Sequence, residues 1–290
     1  QVGQACADGM EVTAQVGSRA IGVMMGLEAT MHPFTSHPVW LEMAALSPRE
    51  RYTRLRDDEN LRHRLIAERP DEKTMHFKEV ELQRTFELDA AVNYEPAPDQ
   101  SIAARAKAQG RDPFDLALEL MMQNDGQALL MHPFENYCAG DLEVVKEMLE
   151  DPNTVCGVAD AGAHVGVICD ASSPTSLLTH WGRDRTRGEK LPLEFLVRKQ
   201  THDTARTYGL LDRGVIAPGY KADINLIDFE ALRLQRPHIV YDLPAGGRRI
   251  IQKADGYRHT FVSGVEVMRG GEATGELPGQ LLRGARAVPN

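Results

Sequence analysis

Thr154-Val155-Cys156-Gly157-Val158-Ala159-Asp160-Ala161-Gly162-Ala163-His164 is the stretch whose reading decides the fold. It opens as a short apolar run, reaches a carboxylate at Asp160 and passes into a turn of small residues. Just upstream, Leu142 to Leu149 repeats its apolar positions at three and four, which predicts a helix, and Asp151-Pro152-Asn153 ends it. Further back, Ala128-Leu129-Leu130-Met131-His132 reads as another short strand. Strand, helix, strand is the βαβ unit of a parallel sheet, so the fold class reads as α/β.

In such folds the carboxyl ends of the strands face the ligand cleft. An apolar strand that closes on a charge needs a partner for that charge, because an unpaired buried carboxylate is costly. Asp160 is therefore the leading candidate for catalysis, with a metal, a bound water or a basic side chain as its counterpart. The same residue also fits a turn or a helix cap. His164 stands four positions on, able to donate a proton or simply to bond the backbone, and Asp170 fits a cap or a turn.

Toward the N-terminus, Glu11 to Val16 and Ala20 to Leu27 each read as buried strands, and Pro33 and Pro38 forbid a regular element between His32 and Trp40. Residues 48 to 127 turn charged and helical, with helices expected at Asn60 to Glu68 and Asp112 to Asn124, the second capped by Asp112. Tyr94-Glu95-Pro96-Ala97-Pro98-Asp99 reads as a connection. Pro192 to Tyr208 is a further helix stopped by Gly209. Beyond it the chain becomes short strands and tight turns. Ala222 to Ile227 alternates with period two, and His259 to Val262 folds through Ser263-Gly264 onto Val265 to Met268. A domain boundary is expected near Tyr208.

With 290 residues, 42% hydrophobic and 26% charged, the composition is that of a globular protein. The net charge of -9 argues against a nucleic-acid partner, which would require clustered positive charge. No apolar stretch is long enough for a membrane-spanning helix. The four cysteines form no CxxC pair, and Cys138, Cys156 and Cys169 read as buried thiols of a reducing, cytoplasmic compartment. A first residue of Gln rather than Met suggests a processed chain or an internal piece of a longer one.

The scan for chemistry is otherwise sparse. Nucleotide-binding glycine loops and the GxSxG elbow are lacking, as are HxH and HExxH pairs. His32-Pro33-Phe34 and His132-Pro133-Phe134 each follow an apolar segment, so both could open onto one cleft. Arg19, Arg183, Arg185 and Arg187 could receive a substrate carboxylate, since a guanidinium matches it bidentately. The alternative is a solvated arginine-rich surface.

Gly157 to His164 resembles the last barrel strand of the metal-dependent amidohydrolases. Thr204 to Leu210 with Asp212 to Asp223 resembles the segment leaving that barrel, and Phe261 to Val267 the closing hairpin of its small β domain. The resemblance covers about 155 to 285 and is greatest to the N-acyl-D-amino-acid deacylase (D-aminoacylase) branch. It implies a (β/α)8 TIM-like barrel with residues 48–127 as a helical insertion in residues 1–208, followed by a small β-rich, sandwich-like domain at 209–290. It implies hydrolysis of a linear amide of a small-molecule substrate with Zn2+ as cofactor. Asp160 would then be the general base and acid and face the metal, and His164 would line the substrate pocket with Arg19. The family's HxH pair and further metal ligands are missing here. The chain is thus expected to be the C-terminal portion of a larger hydrolase, needing its N-terminal half or a second copy as partner. A cyclic-amide hydrolase or deaminase, and a non-catalytic binding or scaffolding module, remain as alternatives.

Overall fold

The computed structural model describes residues 1–70, 77–158 and 162–289. Its first strands are β1 (Ala14–Gly17), β2 (Ile21–Met25), β3 (Phe86–Glu87), β4 (Leu130–Glu135) and β5 (Thr154–Gly157). The helix between β4 and β5, Glu143–Glu150, falls where its periodicity puts it and buries Val145 and Leu149.

The pairing departs from the expected βαβ unit. β5 does run parallel, but to β1, with Ala14 opposite Thr154 and Gly17 opposite Gly157. β4 instead sits at the centre of an antiparallel sheet of order β2-β4-β3. Leu130 and Met131 of β4 are buried and belong to two different cores, one on each side of the strand's alternation. The helix still packs on the β1–β5 pair, and Val16, Tyr137, Val145, Leu149, Leu177 and Trp181 share one core.

β4 is a central strand that contains Pro133, which has no N–H for the ladder. The register shifts between Ile21 and Gly22, where Gly22 faces Pro133. A Cβ on Gly22 would lie 2.6 Å from the His132 carbonyl oxygen and 2.9 Å from Pro133 Cα, both backbone atoms that cannot swing aside. Gly22→Ala is expected to cost about 1–3 kcal/mol by overpacking, read as a lower denaturant midpoint with an unchanged m-value.

The charged stretch 48–127 is mostly helical. Ser47 and Glu50 form a capping box on Pro48–Asp57, Asp58 caps Glu59–Ala67, Ser101 caps Ile102–Gln109, and Asp112 caps Pro113–Gly126 by accepting from Phe114 N–H at 2.8 Å. These helices enclose a second core built on Phe34, Trp40, Leu55, Leu65, Phe114 and Leu120. β3 is an extended piece inside this stretch that the charge pattern concealed.

Helical backbone from Leu193 to Thr207 is closed by Gly209 at φ +68°. The remaining strands are β6 (Ile224–Ile227), β7 (Arg233–Leu234), β8 (His238–Leu243), β9 (Gly247–Ile251), β10 (Ala254–Asp255), β11 (Tyr257–Val262), β12 (Val265–Arg269) and β13 (Glu272–Ala273). The largest sheet has the order β13-β12-β11-β6, while β8 pairs β9 and β10 pairs β7. Ser263 at φ +51° and Gly264 at φ +82° make the turn between β11 and β12, the left-handed pair a two-residue hairpin favours. The result is a mixed α/β protein whose described strands form five sheets of two to four strands. Among the described residues these sheets do not close into the expected barrel.

Candidate functional site

β1 and β5 are parallel, so their carboxyl ends open on one side. A cavity of about 330 Å3 lies there, lined among others by Gln15, Ser18, Cys156, Gly157, Val158 and Ser173. Ligand clefts of α/β proteins occupy this position. Val158, the residue that leaves β5, has φ +62°, a left-handed conformation costly for a β-branched side chain. Asp160, expected both as proton carrier and as metal-facing carboxylate, lies outside the described residues.

His164 is exposed, at φ +50°, and its carbonyl accepts from the Val167 and Ile168 N–H groups at 2.8 and 2.9 Å. The loop is then held in place by backbone bonds. Met24 N–H donates to Val167 O at 2.7 Å, Thr30 N–H to Gly166 O at 3.1 Å, and Ile250 N–H to Val165 O at 2.7 Å.

Arg19 follows β1 and is buried. Its Nη2 donates to Asp170 Oδ1 at 3.0 Å and to the Cys169 carbonyl at 2.8 Å, and its Nη1 to Ser172 Oγ at 3.0 Å. The guanidinium lies 3.8 Å from the centre of the Tyr94 ring, whose hydroxyl donates to Gln252 Oε1 at 3.0 Å. Arg19 thus joins the 169–172 segment to Tyr94 and faces a protein carboxylate. Asp170 is the buried counter-charge rather than a simple cap. Burial pushes the Cys169 and Cys156 thiols up to about 11, so both stay protonated at neutral pH. Cys138, expected to be buried, is exposed.

The arginines after Trp181 are not a solvated run. Arg185 is buried and donates through Nε and Nη2 to Glu95 at 3.0 and 3.1 Å, with Nη2 also 2.8 Å from Glu143. His180 Nε2 lies 3.0 Å from Glu95 Oε2, the oxygen that Arg185 Nε also reaches, and Leu142 N–H donates to Oε1 at 2.9 Å. Burial pushes the Glu95 carboxyl up, but the hydrogen bonds from His180, Arg185 and Leu142 outweigh it and hold it at about 2. Arg183 pairs with Asp184, and Arg187 donates Nη1 to the Glu95 and Pro96 carbonyls and to the Tyr137 hydroxyl. A cleft of about 340 Å3 adjoins this cluster. Sequence reasoning missed Glu95 because it sits inside what reads as a proline-bounded connection.

The two His-Pro-Phe triplets are structural. His32 is buried against Trp40, its Nδ1 accepts from Phe34 N–H at 3.2 Å, and burial lowers its pKa to about 3. His132 lies on β4 with Nδ1 3.0 Å from Thr85 Oγ1 and Nε2 3.3 Å from Glu81. Zinc needs three or four His, Cys or carboxylate ligands, and among the described residues no three such side chains converge. The donor set of the described residues does not fit the expected Zn2+.

The chain is 29% identical to N-acyl-D-aspartate deacylase of Alcaligenes xylosoxydans xylosoxydans over 51% of its own length and 33% of the relative's. It is 36% identical to a 5-methylthioadenosine/S-adenosylhomocysteine deaminase of Desulfitobacterium hafniense over 31% of its length and 24% of that protein's. It thus spans about a third or less of these curated relatives. A crystal structure of D-aminoacylase aligns at a TM-score of 0.36 with 24% identity, covering 67% of this chain and 36% of that one. The amidohydrolase family profile matches residues 6–268. That span overturns the expectation that the resemblance is confined to 155 to 285, the C-terminal portion of this chain. The early strands, the charged helical stretch and the β-rich part as far as residue 268 lie within the family's pattern, and the chain belongs to the amidohydrolase family.

Proposed function

We propose that the protein hydrolyses a linear amide of a small N-acyl amino acid, and that Asp160 carries the proton between the attacking water and the leaving nitrogen. The observation that carries this reading is the cavity beyond the parallel pair β1–β5, lined by Gly157 and Val158, with which β5 ends and the chain leaves it. The unfavourable φ of Val158 supports it, since backbone strain of this kind gathers at functional turns. Similarity to a deacylase of N-acyl-D-aspartate favours a substrate carrying a carboxylate. On this reading residues 1–208 carry the chemistry and 209–290 form a small β-rich domain. No step is assigned to a metal, because the described donor set does not fit one.

Deamination is the second reading, favoured by the 36% identity to the deaminase. The two separate by product. Incubation of the full chain with N-acetyl-D-aspartate, N-acetyl-L-aspartate and 5'-methylthioadenosine is expected to release acetate from an N-acetyl amino acid. Ammonia from the nucleoside would establish deamination instead. Binding without turnover of any of the three would favour a non-catalytic module.

A further inference from the structure

Arginines in this protein repeatedly present one edge of the guanidinium, Nε with Nη2, to a carboxylate. Arg185 gives that edge to Glu95 at 3.0 and 3.1 Å, Arg183 to Asp184 at 2.6 and 2.9 Å, and Arg249 to Asp242 at 2.8 and 2.6 Å. The two parallel N–H bonds match the two carboxylate oxygens, which is why the pairing is geometrically selective.

Arg187 is the exception beside them. Only its Nη1 is engaged, at 3.1 to 3.3 Å from the Glu95 and Pro96 carbonyls and the Tyr137 hydroxyl, all uncharged acceptors. Its Nε and Nη2 meet no acceptor among the described residues and are not sealed from solvent. The side chain is half-buried and lines the 340 Å3 cleft. The other charged groups of that cleft are already matched. Glu95 is held by Arg185 and His180, Asp184 by Arg183, and Arg233 by Asp255 at 2.8 Å. A half-buried cation that lines a cavity, with its Nε–Nη2 edge unengaged among the described residues, is left without a counter-anion. Val92 and Leu234 supply apolar wall on the same cavity.

We propose that this cleft binds a small organic carboxylate with a short apolar substituent, received bidentately by the Nε–Nη2 edge of Arg187. The cleft shares no lining residue with the cavity beyond β1 and β5, so the inference stands whether or not amide hydrolysis does.

Propionate is the probe, with propionamide as its uncharged counterpart and inorganic phosphate as the competing anion. The arginine Nε–H signals of the 15N-labelled full chain are followed through the titration, the Arg187 signal being the one lost in Arg187→Lys. Propionate is expected to shift that signal saturably at concentrations up to about 10 mM, while propionamide leaves it still. Arg187→Lys keeps the charge but loses the edge, and should weaken propionate at least about tenfold. Ala91→Phe adds a ring to the lining of the cleft and leaves Arg187 in place, so it should weaken propionate too and covers the case in which Arg187→Lys fails to fold. An unmoved Arg187 signal, an equal response to propionamide, or unchanged affinity in a folded variant would overturn the site. Phosphate bound in preference to propionate would overturn the carboxylate assignment.

Discussion

Asp160→Asn is expected to lower turnover of the amide substrate by about 10^2- to 10^4-fold, the range a positioned proton carrier contributes, with KM little changed. The substitution keeps shape and volume but removes the group that, in the proposed reaction, accepts and returns a proton. The effect should therefore fall on kcat and flatten the acid limb of the pH–rate profile, while the unfolding midpoint stays at the wild-type value. His164 supplies the comparison. It is exposed, and its side chain makes no hydrogen bond among the described residues, so His164→Ala should act on KM more than on kcat if it lines the pocket. Undiminished turnover in Asp160→Asn would remove this carboxylate from the mechanism, whatever the substrate.

Arg185→Leu is expected to destabilise the fold by about 3–5 kcal/mol, the usual result of stripping one member from a buried ion pair. Glu95 would be left in the core with only His180 and the Leu142 N–H to hold its charge. Removing both charges in Glu95→Leu/Arg185→Leu should recover much of the loss, because no unmatched carboxylate remains; a double variant as unstable as the sum of the singles would contradict the pairing. Acid titration gives a second reading. The Glu95 carboxyl is held at about 2 in the folded protein against an ordinary 4.5, so its folded pKa is depressed. Its stabilising contribution is then complete above about pH 4.5 and is lost as the pH falls toward 2. That part of the acid limb should shrink in Arg185→Leu, as chemical denaturation at several pH values would show.

Local signals were read correctly where the local chain decides the outcome. Asp112 caps its helix, Gly209 ends another in a left-handed conformation, and Ser263-Gly264 adopts the two positive φ values its hairpin needs. Pairing between distant strands was not legible. The order of β4, helix and β5 implied neighbours, yet β5 chose β1 and β4 chose β2 and β3, since a strand of four residues carries too little pattern to specify its partner. The charged groups show the same limit. Arg19 and Arg185 were candidates for a ligand carboxylate and each meets a protein one, from Asp170 and Glu95, residues that read as a cap and as part of a connection. Nothing in the local chain marks a carboxylate for burial when its cation arrives from 90 residues away.

The order of the last sheet has a consequence for synthesis. The β11–β12 hairpin is the tight local unit, and such hairpins close in about 1–10 μs, whereas β6 adds to its edge from well upstream. On the ribosome β6 emerges first and must wait roughly 2–6 s for β11, at the usual 5–20 residues per second. During that interval Ile224, Leu226 and Ile227 have no ladder to join. A nascent chain halted between β6 and β11 should therefore be captured by holding chaperones far more readily than one released past Val267.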